Sequence, residues 1–209
     1  MSRVSGGIVH CKSRFIDRIK KTMPLTPPAD RQPMHTRQIR CQGFLRADGL
    51  WDIEGHLVDT KPYDLPNVDR PHGKITAGEP LHEMWIRLTV DTDLWVRAVE
   101  VVTDFGPYAV CPSIAPNFQR LVGERIKAGW TQRTRELLGG VQGCTHLVEL
   151  LGPLATTAFQ TIYPARVKRD SAKSGHKPAL IDTCHAYRSD GPLVQQKWPE
   201  HYTGPHSPS

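Results

Sequence analysis

Proline placement constrains this chain more than any other feature. Prolines crowd residues 24–33, 62–80 and 107–116 and recur from 153 onward, and they are absent from 34–61, 81–106 and 117–152. Proline fixes φ and carries no backbone donor, so regular structure belongs in the three gaps and connections belong in the crowded stretches.

The first gap reads as a hairpin, strands 35–46 and 50–60 turning at Asp48-Gly49, a strong turn signal between alternating segments. Period two puts Trp51, Ile53 and Leu57 on one face and Asp52, Glu54 and His56 on the other. The second gap reads as strands 81–90 and 94–103 around Asp91-Thr92-Asp93, with His82, Met84, Ile86, Leu88 and Val90 sharing a face. The pattern then changes to helical spacing. A helix is expected from Pro112 to Ile126, a second from Trp130 to Leu138 stopped by Gly139-Gly140, and a third from about Gly143 to Ile162. Leu147, Leu150, Leu151, Leu154, Ala158 and Ile162 form the apolar stripe of the third, and Pro153 should kink it. Strands first and helices after define an α+β fold, an antiparallel meander of about four strands followed by three packed helices and a C-terminal arm.

Three regions follow: a basic, proline-containing extension (1–34), one α+β domain (35–164), and a linker with a C-terminal arm (165–209). The island Pro178–Tyr187 in that arm is expected to pack back on the domain. The formal charge of +6 is carried by the ends. Residues 1–22 hold six basic side chains against Asp17, whereas 23–164 hold 14 basic and 16 acidic ones. Residues 1–22 are therefore expected to be an extension ahead of a native start at Met23. Nucleic acid is not an expected partner, because the basic Arg166–Arg169 stretch lacks interleaved aromatics. No apolar run is long enough for a membrane helix, and residues 1–22 lack the apolar segment of a secretory signal. Five widely spaced cysteines without a C-x-x-C fit reduced thiols and a cytoplasmic location.

Asp48–His56 followed by Asp59-Thr60-Lys61-Pro62-Tyr63, then Gly143–Leu147 with Ala155–Ile162, and the late Asp182–Tyr187 resemble a bacterial family known as domain of unknown function 2889. The resemblance spans about Met23 to Gly204 and agrees with a start at Met23. It implies no defined activity; an association with aromatic or steroid catabolism genes implies a small catabolic enzyme. More distantly, strands followed by helices, with Cys111 after the last strand and Cys144 opening the last helix, is similar to the iron–sulfur scaffold fold. That likeness implies three cysteines plus an Asp or His as ligands. Here Cys144 precedes a Thr-His instead of following a His, and no third cysteine is assigned.

Two constellations could carry chemistry. The first is Cys111, Cys144, His146, Cys184 and His185, thiolate and imidazole donors suited to Zn or Fe. Cys144 would lie in a first helical turn, where the dipole favours the thiolate, with His146 or His185 as base. The ordinary alternative is a set of core cysteines, since Cys144 shares a helical face with Val148 and Leu151. The second is Asp52, Glu54 and His56, with Asp59 at the strand end, as carboxylate and imidazole acid–base groups. Its alternative is a solvated outer face. His82 is expected as a satisfied core histidine and a reserve ligand. Gly139–Gly143 reads as a helix end and the next helix's entry, since it lacks the Lys-Ser/Thr of a phosphate loop.

Two functions follow. One is a small catabolic enzyme acting on a small molecule at a Cys/His site with Zn, Fe, or Cys144 as nucleophile. The other is a non-catalytic metal or iron–sulfur scaffold.

Overall fold

The computed structural model describes residues 25–170 and 177–205. The basic stretch 1–22, with Cys11, lies outside the described residues. The fold is α+β. Strands β1 (Thr36–Leu45), β2 (Trp51–Thr60), β5 (Pro80–Val90) and β6 (Val96–Phe105) form an antiparallel sheet in the order β1-β2-β5-β6. The proline-rich connection between β2 and β5 holds a small ribbon of β3 (Leu65–Pro66) and β4 (Lys74–Ile75). Then come a 3₁₀ helix (Cys111–Leu121), α1 (Trp130–Leu138), α2 (Thr145–Asp170) and the short α3 (Pro192–Lys197) in the arm. Among the described residues no helix is long and apolar enough to cross a membrane.

Local chemistry explains where the elements begin and end. Gly49 turns the first hairpin at φ 83°, a left-handed conformation glycine adopts without strain. The last strand starts at Val96, two residues later than the spacing predicts. Leu94 is in the turn at φ 69°, and Asp91 Oδ1 accepts the N–H groups of Asp93 and Trp95. The segment from Pro112 winds as a 3₁₀ helix and stops at Leu121. Pro116 removes a donor inside it, Gly123 follows at φ 86°, and residues 123–126 hydrogen-bond alongside the start of β6. Helix α2 runs past Ile162 and through Pro164 to Asp170.

The sheet buries one face. Ile53 and Leu57 of β2, with Met84, Ile86 and Leu88 of β5, meet Phe118, Leu121 and the α2 stripe Leu147, Leu150, Leu151, Leu154, Ala158 and Ile162, all essentially inaccessible. Each of these side chains except Ala158 contributes about 1.5–3 kcal/mol on burial. Helix α2 lies unusually close to β1 and β2 because inward positions there are glycines. A Cβ on Gly55 would touch Leu154, and one on Gly43 would collide with Thr161. In the arm, Ile181 and Val194 are buried and Ala179 stands with Phe159 of α2 along one cleft.

Candidate functional site

The inner face of the sheet changes character at one end. Across most of it the inward residues are apolar. In the row at the end of β2, register places Arg37 of β1 opposite Asp59 of β2, and Asp59 opposite His82 of β5. Three neighbouring strands thus deliver a guanidinium, a carboxylate and an imidazole in one line. The β2–β5 register shifts between Asp59 and Thr60, and the β5–β6 register shifts between Glu83 and Met84. Such irregularities re-aim side chains at sheet ends. The first turns of α2 cover this row. Cys144 is the N-cap, its carbonyl accepting the N–H of Val148, and His146 and Glu149 follow on the face toward the sheet end.

Asp59 is the hub and is only 1% exposed. Arg37 grips it with two parallel bonds of 2.8 Å, Nε to Oδ1 and Nη2 to Oδ2. His35 Nε2 stands 3.2 Å from Oδ1, and His82 Nδ1 lies 3.0 Å from Oδ2. His146 directs Nε2 at the same Oδ2 from 3.9 Å, and its other nitrogen, Nδ1, faces Cys144 Sγ at 3.8 Å. Glu149 accepts a bond from Arg37 Nη1 and completes the ion-pair chain Asp59–Arg37–Glu149. The His82 and His146 rings lie 3.7 Å apart at 32°.

These neighbours set the protonation states. Burial alone would push the Asp59 carboxyl upward, but Arg37, assisted by His82, outweighs it and holds the group below the ordinary carboxylate range. Burial lowers His82, and the neighbouring His146 lowers it further against the pull of Asp59. Burial also lowers His146, with the Arg37 charge in support. Both rings are therefore neutral near pH 7, the form that offers a lone pair to a metal or accepts a proton. Asp59, His82 and His146 each present one donor atom, and these atoms lie within 4.8 Å of one another. A cation could take the place of the proton that His82 Nδ1 shares with Oδ2.

The residues named from sequence fall in several places. Cys144 and His146 are together at the site. Cys111 opens the 3₁₀ helix and packs against Gly106. Cys184 and His185 are exposed on the arm. None of Cys111, Cys144, Cys184 or His185 belongs to the metal-donor group found among the described residues. Asp52, Glu54 and His56 line the opposite, outer face. Asp52 accepts from Thr89 Oγ1 at 2.7 Å, Glu54 pairs with Arg87 at 2.8 Å, and His56 meets Glu83 at 3.0 Å and stacks on Trp85. His82 is the buried, satisfied histidine its strand position predicts, and its partner is Asp59. Arg37, His35 and Glu149 were not singled out by sequence. The parity of Asp59, shared with Ile53 and Leu57, marks it as inward, and hairpin register then points to Arg37.

An antiparallel sheet backed by helices, with a histidine–carboxylate cluster at one sheet end under a helix N-terminus, is the class of protein that these features define. The chain belongs to the family described as protein of unknown function DUF2889, whose model matches residues 35–160. That span contains every residue of the cluster. No curated protein and no solved structure matches the chain, and the iron–sulfur scaffold likeness gains no support.

Proposed function

We propose that the chain is a small-molecule enzyme, of the catabolic kind its family association implies, built on a mononuclear Asp59–His82–His146 metal centre. The observation that carries this is the convergence of those three donor atoms at a buried sheet end. Two imidazoles and one carboxylate are the donor set used for Fe(II) and for catalytic Zn. Three protein ligands, where a structural site would close with four, leave positions for water and substrate, and this favours an enzyme over a scaffold. A cation held there would supply Lewis acidity at an open position.

The chain's own residues have distinct tasks around it. Arg37 fixes both oxygens of Asp59, and Glu149 holds Arg37 from behind. An outer partner of this kind orients a ligand and tunes it. Cys144, beside the nitrogen of His146 that faces away from Asp59, steadies the tautomer that leaves Nε2 free. Its thiol is also a nucleophile beside the cluster, 3.8 Å from His146 Nδ1.

Metal analysis of protein purified anaerobically without chelators tests this, followed by titration of the stripped protein with Co²⁺, Zn²⁺ and Fe²⁺. A stoichiometric ion is expected, lost in His82→Gln and in His146→Gln and retained in Cys184→Ala. A folded protein that neither carries nor takes up any of these ions would overturn the proposal. Iron accompanied by acid-labile sulfide would also overturn it, in favour of a scaffold.

A further inference from the structure

A second site lies at the opposite end of the sheet. An open cleft of about 490 Å³ is floored by Ile126 and Trp130, which are nearly inaccessible, and walled by Ala155 and Phe159 of α2. Phe159 is thirteen residues beyond His146 on the same helix, about 20 Å along its axis. Leu94, also in the lining, follows the far end of β5 from His82. The cleft is thus separate from the candidate metal centre, and its volume is that of a small-molecule pocket.

Its rim is cationic. Arg125, Lys127 and Arg166 all line it. Among the described residues none of the three forms a close ion pair with an acidic side chain; Asp93 acts on Arg125 and Arg166, and Glu124 on Lys127, only at longer range, because both acids make their contacts elsewhere. Asp93 pairs with Arg169 at 3.0 Å and Glu124 with Arg133 at 2.6 Å. Arg125 donates instead to the Asp93 carbonyl and lies 5.7 Å from the Trp95 ring. Arg125 and Arg166 are half-buried, so their charge acts beside an apolar floor where screening is reduced. The chain's own leading segment, with six basic residues against Asp17, has the wrong sign to fill this cleft.

We infer that this cleft binds an amphipathic organic anion, an apolar body lying on Trp130, Ile126 and Phe159 with a carboxylate or phosphate head facing Arg125, Lys127 and Arg166. Apolar walls supply most of the binding free energy, and the three rim cations, none held in a close ion pair, select the sign of the head group. The inference does not depend on the metal centre.

Calorimetric titration of the full chain with ten-carbon ligands of equal body and different heads, below their aggregation concentrations, tests it. Decanoate and decyl phosphate should bind, the tighter one naming the preferred head, while decanol and decyltrimethylammonium should bind at least about tenfold more weakly, as loss of a charge-assisted contact implies. Lys127→Glu combined with Arg166→Glu should remove that preference, leaving thermal stability and metal content unchanged. Equal affinity for decanoate and decanol would overturn the inference. So would an unaltered decanoate affinity in the folded double variant, or binding to anionic vesicles without binding of the monomeric ligands.

Discussion

Arg37 and Asp59 are directly opposed in the β1–β2 register and meet through two parallel hydrogen bonds of 2.8 Å. The carboxylate is 1% exposed, whereas the Arg37 side chain keeps 30% of its surface. Removing the guanidinium leaves a buried charge with imidazole partners alone. Arg37→Met should therefore destabilise the protein by roughly 2–4 kcal/mol, somewhat under the about 3–5 kcal/mol typical of breaking a fully buried pair because Arg37 is partly solvated. Arg37→Lys should lose less, since it keeps the charge and gives up the two-pronged geometry. Urea denaturation of both variants checks the order. A loss under 1 kcal/mol for Arg37→Met would show that the pair is not the anchor of this sheet end.

Acid should destabilise the metal-free protein in two stages. His82 and His146 are held below their ordinary value in the fold, so the unfolded chain binds their protons first. Their contribution is fully present above the ordinary histidine pKa of about 6.5 and is lost as pH falls toward the depressed folded values. Asp59, also depressed, contributes above the ordinary carboxylate value of about 3.9 and is lost as pH falls through its lower folded pKa. Thermal scans between pH 8 and 5 should show Tm declining with pH. A His82→Gln, His146→Gln double variant should decline less over that interval. Equal slopes would mean that these rings do not titrate differently in the two states.

The outer and inner faces of β2 should separate cleanly in mutagenesis. Glu54 and His56 are tied into partly exposed pairs with Arg87 and Glu83. Glu54→Gln should cost no more than about 1 kcal/mol, the usual worth of such a pair. Neither Glu54→Gln nor His56→Gln should alter metal uptake, while His82→Gln abolishes it. Metal analysis of the three purified variants decides this. Loss of metal in His56→Gln would move the site to the outer face.

Alternation and turn chemistry made the sheet legible from sequence: Asp48-Gly49, the parity of Ile53 and Leu57, and the run from His82 to Val90 all carry their burial in their spacing. The α2 stripe was legible for the same reason, because its six apolar positions repeat at helical intervals. Its end was not, because Pro164 sits in a helix that continues to Asp170. Cys144 and His146 could be seen as neighbours since they are two residues apart in one helical entry. The partnership of Asp59 with Arg37 and His82 is readable only once strand register is assigned. It spans 22 and 23 residues of chain and depends on strand register, and the polar run Asp52–Glu54–His56 draws Asp59 toward the wrong face. Chemically distinctive residues such as cysteine stand out in a sequence; an arginine and an aspartate that matter only through register do not.

Gly43 should resist even the smallest enlargement of its side chain. It stands opposite Ile53, and a Cβ there would collide with Thr161 of α2, coming within 2.6 Å of Thr161 Cγ2 and 2.8 Å of its Cβ. Contacts that short force the helix or the strand to move, and overpacking of this kind costs about 1–3 kcal/mol. The same approach of helix to sheet positions Glu149 on Arg37 and His146 over Asp59, so the damage should reach the cluster. Gly43→Ala is expected to lower stability by that amount and to weaken metal binding without touching a ligand. Because the three nearest atoms all belong to the Thr161 side chain, adding Thr161→Ala should recover part of the stability and metal affinity together. Chemical denaturation and metal titration of the single and double variants read both quantities. Full stability in Gly43→Ala alone would show that the helix is free to lift from the sheet, and with it the cover over Asp59.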